Sequence, residues 1–118
     1  ETGWLPSAKG RVVFLECSIR HPDVIRDELE ALRQSGWFAG AAGVVFGDIT
    51  PGDVNRQRLS GAALQEGRAA VAKLKRDFAA KVDCPVWDGY PYGHIPRNFA
   101  IDFQREVAVS EAGELKFQ

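Results

Sequence analysis

Apolar residues along this chain fall into two patterns, short unbroken runs and longer spaced stripes. Arg11-Val12-Val13-Phe14-Leu15-Glu16 is a compact β-branched and aromatic run that follows the turn signal Lys9-Gly10. It predicts a strand, and its unbroken apolar character predicts burial on both faces, as in a parallel sheet. Ala42-Gly43-Val44-Val45-Phe46, closed by Gly47-Asp48, predicts a second such strand, and Cys84-Pro85-Val86-Trp87 a short third. Between the first two runs the period changes. Pro22 suits the first turn of a helix, where its missing N–H costs nothing. Asp23 and Asp27 favour the positive end of the helix dipole. Ile25, Leu29 and Leu32 form one stripe, and Gly36 suits the C-terminal cap. Trp37 and Phe38 then read as packing anchors at the turn. A second helix is predicted from about Ala63 to Val82, with Val71, Leu74 and Phe78 on its core face and Gly67 weakening it.

Ile49 to Gly61 holds Pro51, Gly52, Asp53, Asn55 and Ser60, which predicts a loop long enough to suspect function or mobility. Asn98–Phe103, Glu106–Val109 and Leu115–Phe117 read as short strands, with a hairpin turn at Ala112-Gly113. The expected fold is α/β: a single domain over residues 1–118, with a parallel βαβαβ core, right-handed crossovers and added antiparallel C-terminal strands.

Composition narrows the function classes. Apolar residues make up 45% of the chain, which excludes a disordered segment. No run approaches the roughly 18 apolar residues of a membrane helix. A net charge of −1 argues against nucleic acid as the main partner. Lys73, Lys75 and Arg76 beside Asp77 read as a solvated helix face. Cys17 and Cys84 lie too far apart for a CxxC motif and read as small hydrophobes in a reducing, cytoplasmic setting. The 118 residues contain no methionine, and Glu1-Thr2-Gly3 does not resemble a native start, so a processed product or a piece of a longer polypeptide is expected.

In open α/β sheets, ligands collect beyond the carboxyl ends of the parallel strands. That rule selects Glu16 at the end of the first strand, Asp48 after the second and His94 in the loop after the third. A carboxylate that accepts the Nδ1–H of an imidazole fixes its tautomer, and the other nitrogen can then take a proton from a nucleophile. A strand-end glutamate is also commonly solvated or bridged to arginine, and Gly-Asp after a strand is ordinary turn chemistry. Tyr90 and Tyr92, in the Pro/Gly loop before His94, suit the wall of a ligand cleft, whereas Trp87 suits packing. Arg97 could hold a substrate carboxylate or form a surface ion pair. His21 reads as the residue leading into the first helix. No serine has a G-x-S-x-G context, no metal-ligand spacing appears, and no glycine-rich phosphate loop appears. Cys17 would alternate to the face opposite Glu16, which is awkward for a Cys17–His94 thiol hydrolase.

Two segments resemble one family. Gly10-Arg11-Val12-Val13-Phe14-Leu15-Glu16 is similar to the glycine, apolar strand and terminal glutamate of LD-carboxypeptidases. Pro85-Val86 followed by Gly89-Tyr90-Pro91-Tyr92-Gly93-His94 looks like that family's strand and G-x-x-x-G-H loop. The resemblance covers nearly the whole chain but only the second half of a typical member. It implies a small swivelling α/β domain of a two-domain, cofactor-free, cytoplasmic serine peptidase. Glu16 would match the catalytic glutamate and His94 the catalytic histidine. The nucleophilic serine and oxyanion hole would belong to an N-terminal domain that this chain lacks, leaving the chain inactive alone. The implied substrate is a small peptide with an L,D bond, in murein recycling or in a peptide-nucleotide antibiotic of the microcin type, and the implied full enzyme is a homodimer. The chain departs from many relatives in having Cys17 where they have aspartate, and in lacking their Pro/Gly-containing segment at Asn98–Asp102. The competing reading is a non-catalytic α/β ligand-binding or interaction module in which Glu16 and His94 are structural.

Overall fold

A computed structural model describes residues 7–91, 106–112 and 114–117. The described elements run β1 (Val12–Arg20), α1 (Pro22–Gln34), β2 (Gly43–Pro51), α2 (Gly61–Lys81), β3 (Val86–Trp87), β4 (Val107–Val109) and β5 (Leu115–Phe117). β1, β2 and β3 form a parallel sheet with β2 in the centre, and β4 pairs with β5 as an antiparallel hairpin. The expected βαβαβ core with added antiparallel strands is therefore present. The strand expected at Asn98–Phe103 lies outside the described residues.

Both helices cover one face of the sheet. Ile25 of α1 and Val71, Leu74 and Phe78 of α2 are buried in one cluster with Val44, Phe46 and Ile49 of β2. Val13, Leu15 and Cys17 pack against that cluster from β1, and Val86 from β3. Period-two alternation then places Val12, Phe14 and Glu16 on the other face. That face is covered as well: Val45, the register partner of Phe14 and Trp87, is only 2% exposed. A side chain at Gly43 would come within 2.5 Å of the Trp87 ring, so the glycine is what lets β3 close over this face.

Local chemistry explains the helix ends. His21 caps α1, its Nδ1 accepting from the backbone N–H of Asp23 at 3.1 Å, with Pro22 in the first turn. Ser35 is the C-cap and Gly36 follows at φ +82°, the left-handed conformation that glycine tolerates. Phe38 is buried with its ring edge-on to Phe78, centroids 5.1 Å apart, whereas Trp37 is only partly buried. Gly67 marks a close approach rather than a flaw in α2: a Cβ there would lie 2.8 Å from Leu59 and 2.9 Å from Pro51.

Two boundaries differ from expectation in ways that matter for the site. β1 runs on to Arg20 and β2 to Pro51, so Glu16 lies inside its strand and not at its end, and Asp48 lies inside its strand and not after it. β3 pairs only with Val44 and Val45. Past that point β1 and β2 continue as a two-stranded ribbon, and the connecting loop shrinks to residues 52–60. α2 begins at Gly61, two residues earlier than expected.

Candidate functional site

Glu16 sits where the three-stranded sheet gives way to the ribbon. Its side chain belongs to the face away from the helices, and its Oε2 is shielded from solvent. A hydrogen-bond donor is worth more to a carboxylate in such a partly dry setting than on an open surface. Opposite Glu16 lies the Gly47-Asp48 pair. Leu15 pairs with Phe46 and Cys17 with Ile49, so β2 carries one more residue than β1 in this interval. The resulting bulge lets Phe46 and Ile49, three positions apart, both reach the helix-side core. The Asp48 carboxylate is engaged within its own strand, accepting from Thr50 Oγ1 at 2.5 Å.

Cys17 lies on the opposite face from Glu16, against the hydrophobic core. Burial pushes its thiol up from the ordinary range, and nearby Arg20 opposes that shift only in part. The thiolate needed for a Cys17–His94 hydrolase is thus disfavoured by both placement and titration. Cys84 is likewise a free thiol packed on the core, raised first by burial and then by Asp83. Among the described residues no group of three His, Cys, Asp or Glu side chains could hold a metal ion.

The chain leaving β3 returns to the face that carries Glu16. Tyr90 donates its backbone N–H to the carbonyl of Phe46 at 3.2 Å. Its ring meets Phe14 edge-on, with centroids 5.9 Å apart and planes at 72°. Phe14 precedes Glu16 by two positions and shares its face. Just upstream, Asp88 Oδ1 accepts from Gly89 N–H at 2.7 Å and from Lys75 Nζ at 2.8 Å. The start of this loop is therefore fixed to α2, to β2 and to β1.

Lys75 corrects the reading of a solvated basic face on α2. Lys73 does pair with Asp77 on the exposed surface at 2.6 Å. Lys75, however, has a side chain only 16% exposed and lies 5.6 Å from the centre of the Phe46 ring while holding Asp88. Its partner is thirteen residues away in a loop, so no helical spacing rule could pair them. Of the expected site residues, Glu16 and Tyr90 are brought to one face of the sheet. Tyr92, His94 and Arg97 lie outside the described residues. His21, read as a residue leading into the first helix, is the cap of α1.

No described helix is long and apolar enough to cross a membrane. Comparison with curated proteins and with solved structures returns no match. The sequence does match the family described as the LD-carboxypeptidase C-terminal domain, over residues 1–109. With a parallel βαβαβ core, a glutamate on its first strand and Tyr90 docked on Phe14 of that strand, the chain belongs to the LD-carboxypeptidase C-terminal domain family.

Proposed function

We propose that this chain is the glutamate–histidine half of a serine-type LD-carboxypeptidase, and that it acts only with a second domain carrying the nucleophilic serine. Glu16 accepts the Nδ1–H of His94, fixing the tautomer and stabilising the imidazolium that forms during turnover. Nε2 of His94 takes the serine proton as the hydroxyl attacks the carbonyl of an L,D-peptide bond. The same proton then passes to the amine of the departing D-residue. Water, deprotonated in turn by His94, releases the acyl group and restores the serine. Tyr90 and Tyr92 wall the cleft, and Arg97 binds the terminal carboxylate that defines a carboxypeptidase substrate. That substrate is a murein peptide or a related peptide–antibiotic conjugate, and the chemistry requires no cofactor.

The observation that carries this reading is the docking of Tyr90 on Phe14. His94 lies four residues beyond Tyr90, a span of at most about 13–14 Å. Glu16 lies two strand residues from Phe14, about 7 Å. These spans are long enough for the imidazole to meet the carboxylate, as this reading requires. In the full-length polypeptide, Glu16→Gln and His94→Ala should each lower kcat by about a thousandfold or more while the circular dichroism spectrum is unchanged. Wild-type turnover in either variant would overturn the proposal, and turnover by the isolated chain would overturn its dependence on a second domain.

A further inference from the structure

The strand pairing around Glu16 carries a second irregularity, complementary to the first. From Leu15 to Cys17, two residues of β1 run against three of β2; from Cys17 to Arg20, three of β1 run against two of β2. One slip opens beside Glu16 and a second closes just beyond it, so the shifted register is confined to the segment that presents the carboxylate. The closing slip contains Ile19 at φ +53°. A β-branched residue pays heavily for this left-handed conformation, because its Cβ crowds the following carbonyl. Such a residue persists only when its surroundings fix it.

The surroundings do so here. Gly52 N–H donates to the carbonyl of Arg20 at 2.8 Å. The Gly52 backbone also lies so close that a Cβ would come within 2.8 Å of the Ile19 carbonyl carbon, 3.0 Å of its Cγ2 and 3.1 Å of Arg20 N. Arg20 itself is held by Glu28 of α1 through two hydrogen bonds of 2.7 and 2.6 Å. The kink is thus clamped by the end of β2 on one side and by α1 on the other.

We propose that Ile19 and Gly52 are positioning residues for Glu16. The clamped kink prevents the local slip from relaxing along β1, and so holds the carboxylate at a fixed height on the strand against the imidazole it orients. The proposal rests on the reading of Glu16 as the catalytic carboxylate, and its test separates the two. In the full-length polypeptide, Gly52→Ala should lower kcat by about 10- to 100-fold, the scale of a misplacement near 1 Å. KM should stay within about twofold, and the limb of the kcat–pH profile set by His94 should move, because the carboxylate that tunes the imidazole has moved. A merely structural role would lower the melting temperature and leave the pH profile in place.

If Gly52→Ala does not fold, Ile19→Gly decides the matter. Glycine adopts φ +53° without strain, so this variant folds while the side chain that stiffens the kink is gone; kcat should fall and the pH profile shift in the same direction. Wild-type kcat and an unmoved pH profile in the folded variants, beside an inactive Glu16→Gln, would overturn the proposal. Activity in Glu16→Gln would instead remove the reading on which it stands.

Discussion

The contact between Tyr90 and Phe14 can be measured without any substrate. An edge-to-face aromatic pair contributes about 0.5–1.5 kcal/mol beyond the area it buries, and the observed separation of 5.9 Å at 72° falls within the favourable geometry. Phe14→Leu and Tyr90→Leu each remove one ring while keeping an apolar side chain at a half-buried position. The backbone bond from Tyr90 N–H to Phe46 survives either substitution. The two single variants should therefore destabilise the fold by more in sum than the double variant does, by about 1 kcal/mol of coupling. In urea, with a denaturant slope of about 1–3 kcal/mol per molar for a chain of this size, that coupling is a non-additivity of about 0.3–1 M in the midpoint. Equilibrium unfolding followed by far-ultraviolet circular dichroism reads it directly. Coupling below about 0.3 kcal/mol, within ordinary additivity, would mean that the ring does not dock on β1. The loop that carries His94 would then have no anchor on the strand that carries Glu16.

Three further outcomes test neighbouring parts of the account. Gly43→Ala should cost about 1–3 kcal/mol, the usual range for overpacking, because its Cβ would meet the Trp87 ring at 2.5 Å; an unchanged unfolding midpoint would show that β3 does not close over Gly43. Cys17 should alkylate more slowly at neutral pH than an unperturbed thiol, since burial raises its pKa; peptide mapping after iodoacetamide pulses would reveal rapid labelling if the thiol were instead activated. Glu30 is held down to about 2, first by its hydrogen bonds from Arg33 and then by Gln34 and nearby Lys81. A depressed carboxyl contributes stability that is present above its unfolded pKa and lost as pH falls through the folded one. Glu30→Gln should therefore flatten the loss of stability between about pH 4.5 and 2, and 0.5 M salt should shrink the difference; identical acid profiles would refute the assignment.

The core of the fold was legible because its signals are local. The unbroken runs at Val12–Leu15 and Val44–Phe46 could bury both faces only in a covered parallel sheet, and the Ile25, Leu29 and Leu32 stripe could face only that sheet. The family was legible because an apolar run closed by a glutamate and a G-x-x-x-G-H sequence occur in order. The strand ends were not legible. Glu16 and Asp48 interrupt the apolar runs, and Pro51 reads as loop chemistry, yet β1 and β2 continue as a ribbon as far as Arg20 and Pro51. Two compensating bulges absorb the polar residues, and bulges leave no trace in an alternation that they themselves break. Ile19 runs against its own preference, since a β-branched residue is the last that local rules would assign to positive φ. Lys75 looked solvated because its partner Asp88 and the Phe46 ring reach it only through the tertiary fold. What sequence reasoning missed is thus set by tertiary contacts that override local propensity, at the kinked strand pair and at Lys75.

The central claim is that Glu16 holds the imidazole of His94, and it can be tested on this chain alone. The sequence contains two histidines, and the other, His21, has its Nδ1 committed to the cap of α1. In nitrogen-15-labelled protein, His94 should show an Nδ1-bound proton that is shifted downfield and protected from exchange, and its titration should lie above that of the same ring in Glu16→Gln. The signal should disappear in Glu16→Gln while the His21 resonances stay in place. A His94 ring with the same tautomer and the same titration in the wild-type and Glu16→Gln chains would contradict the account.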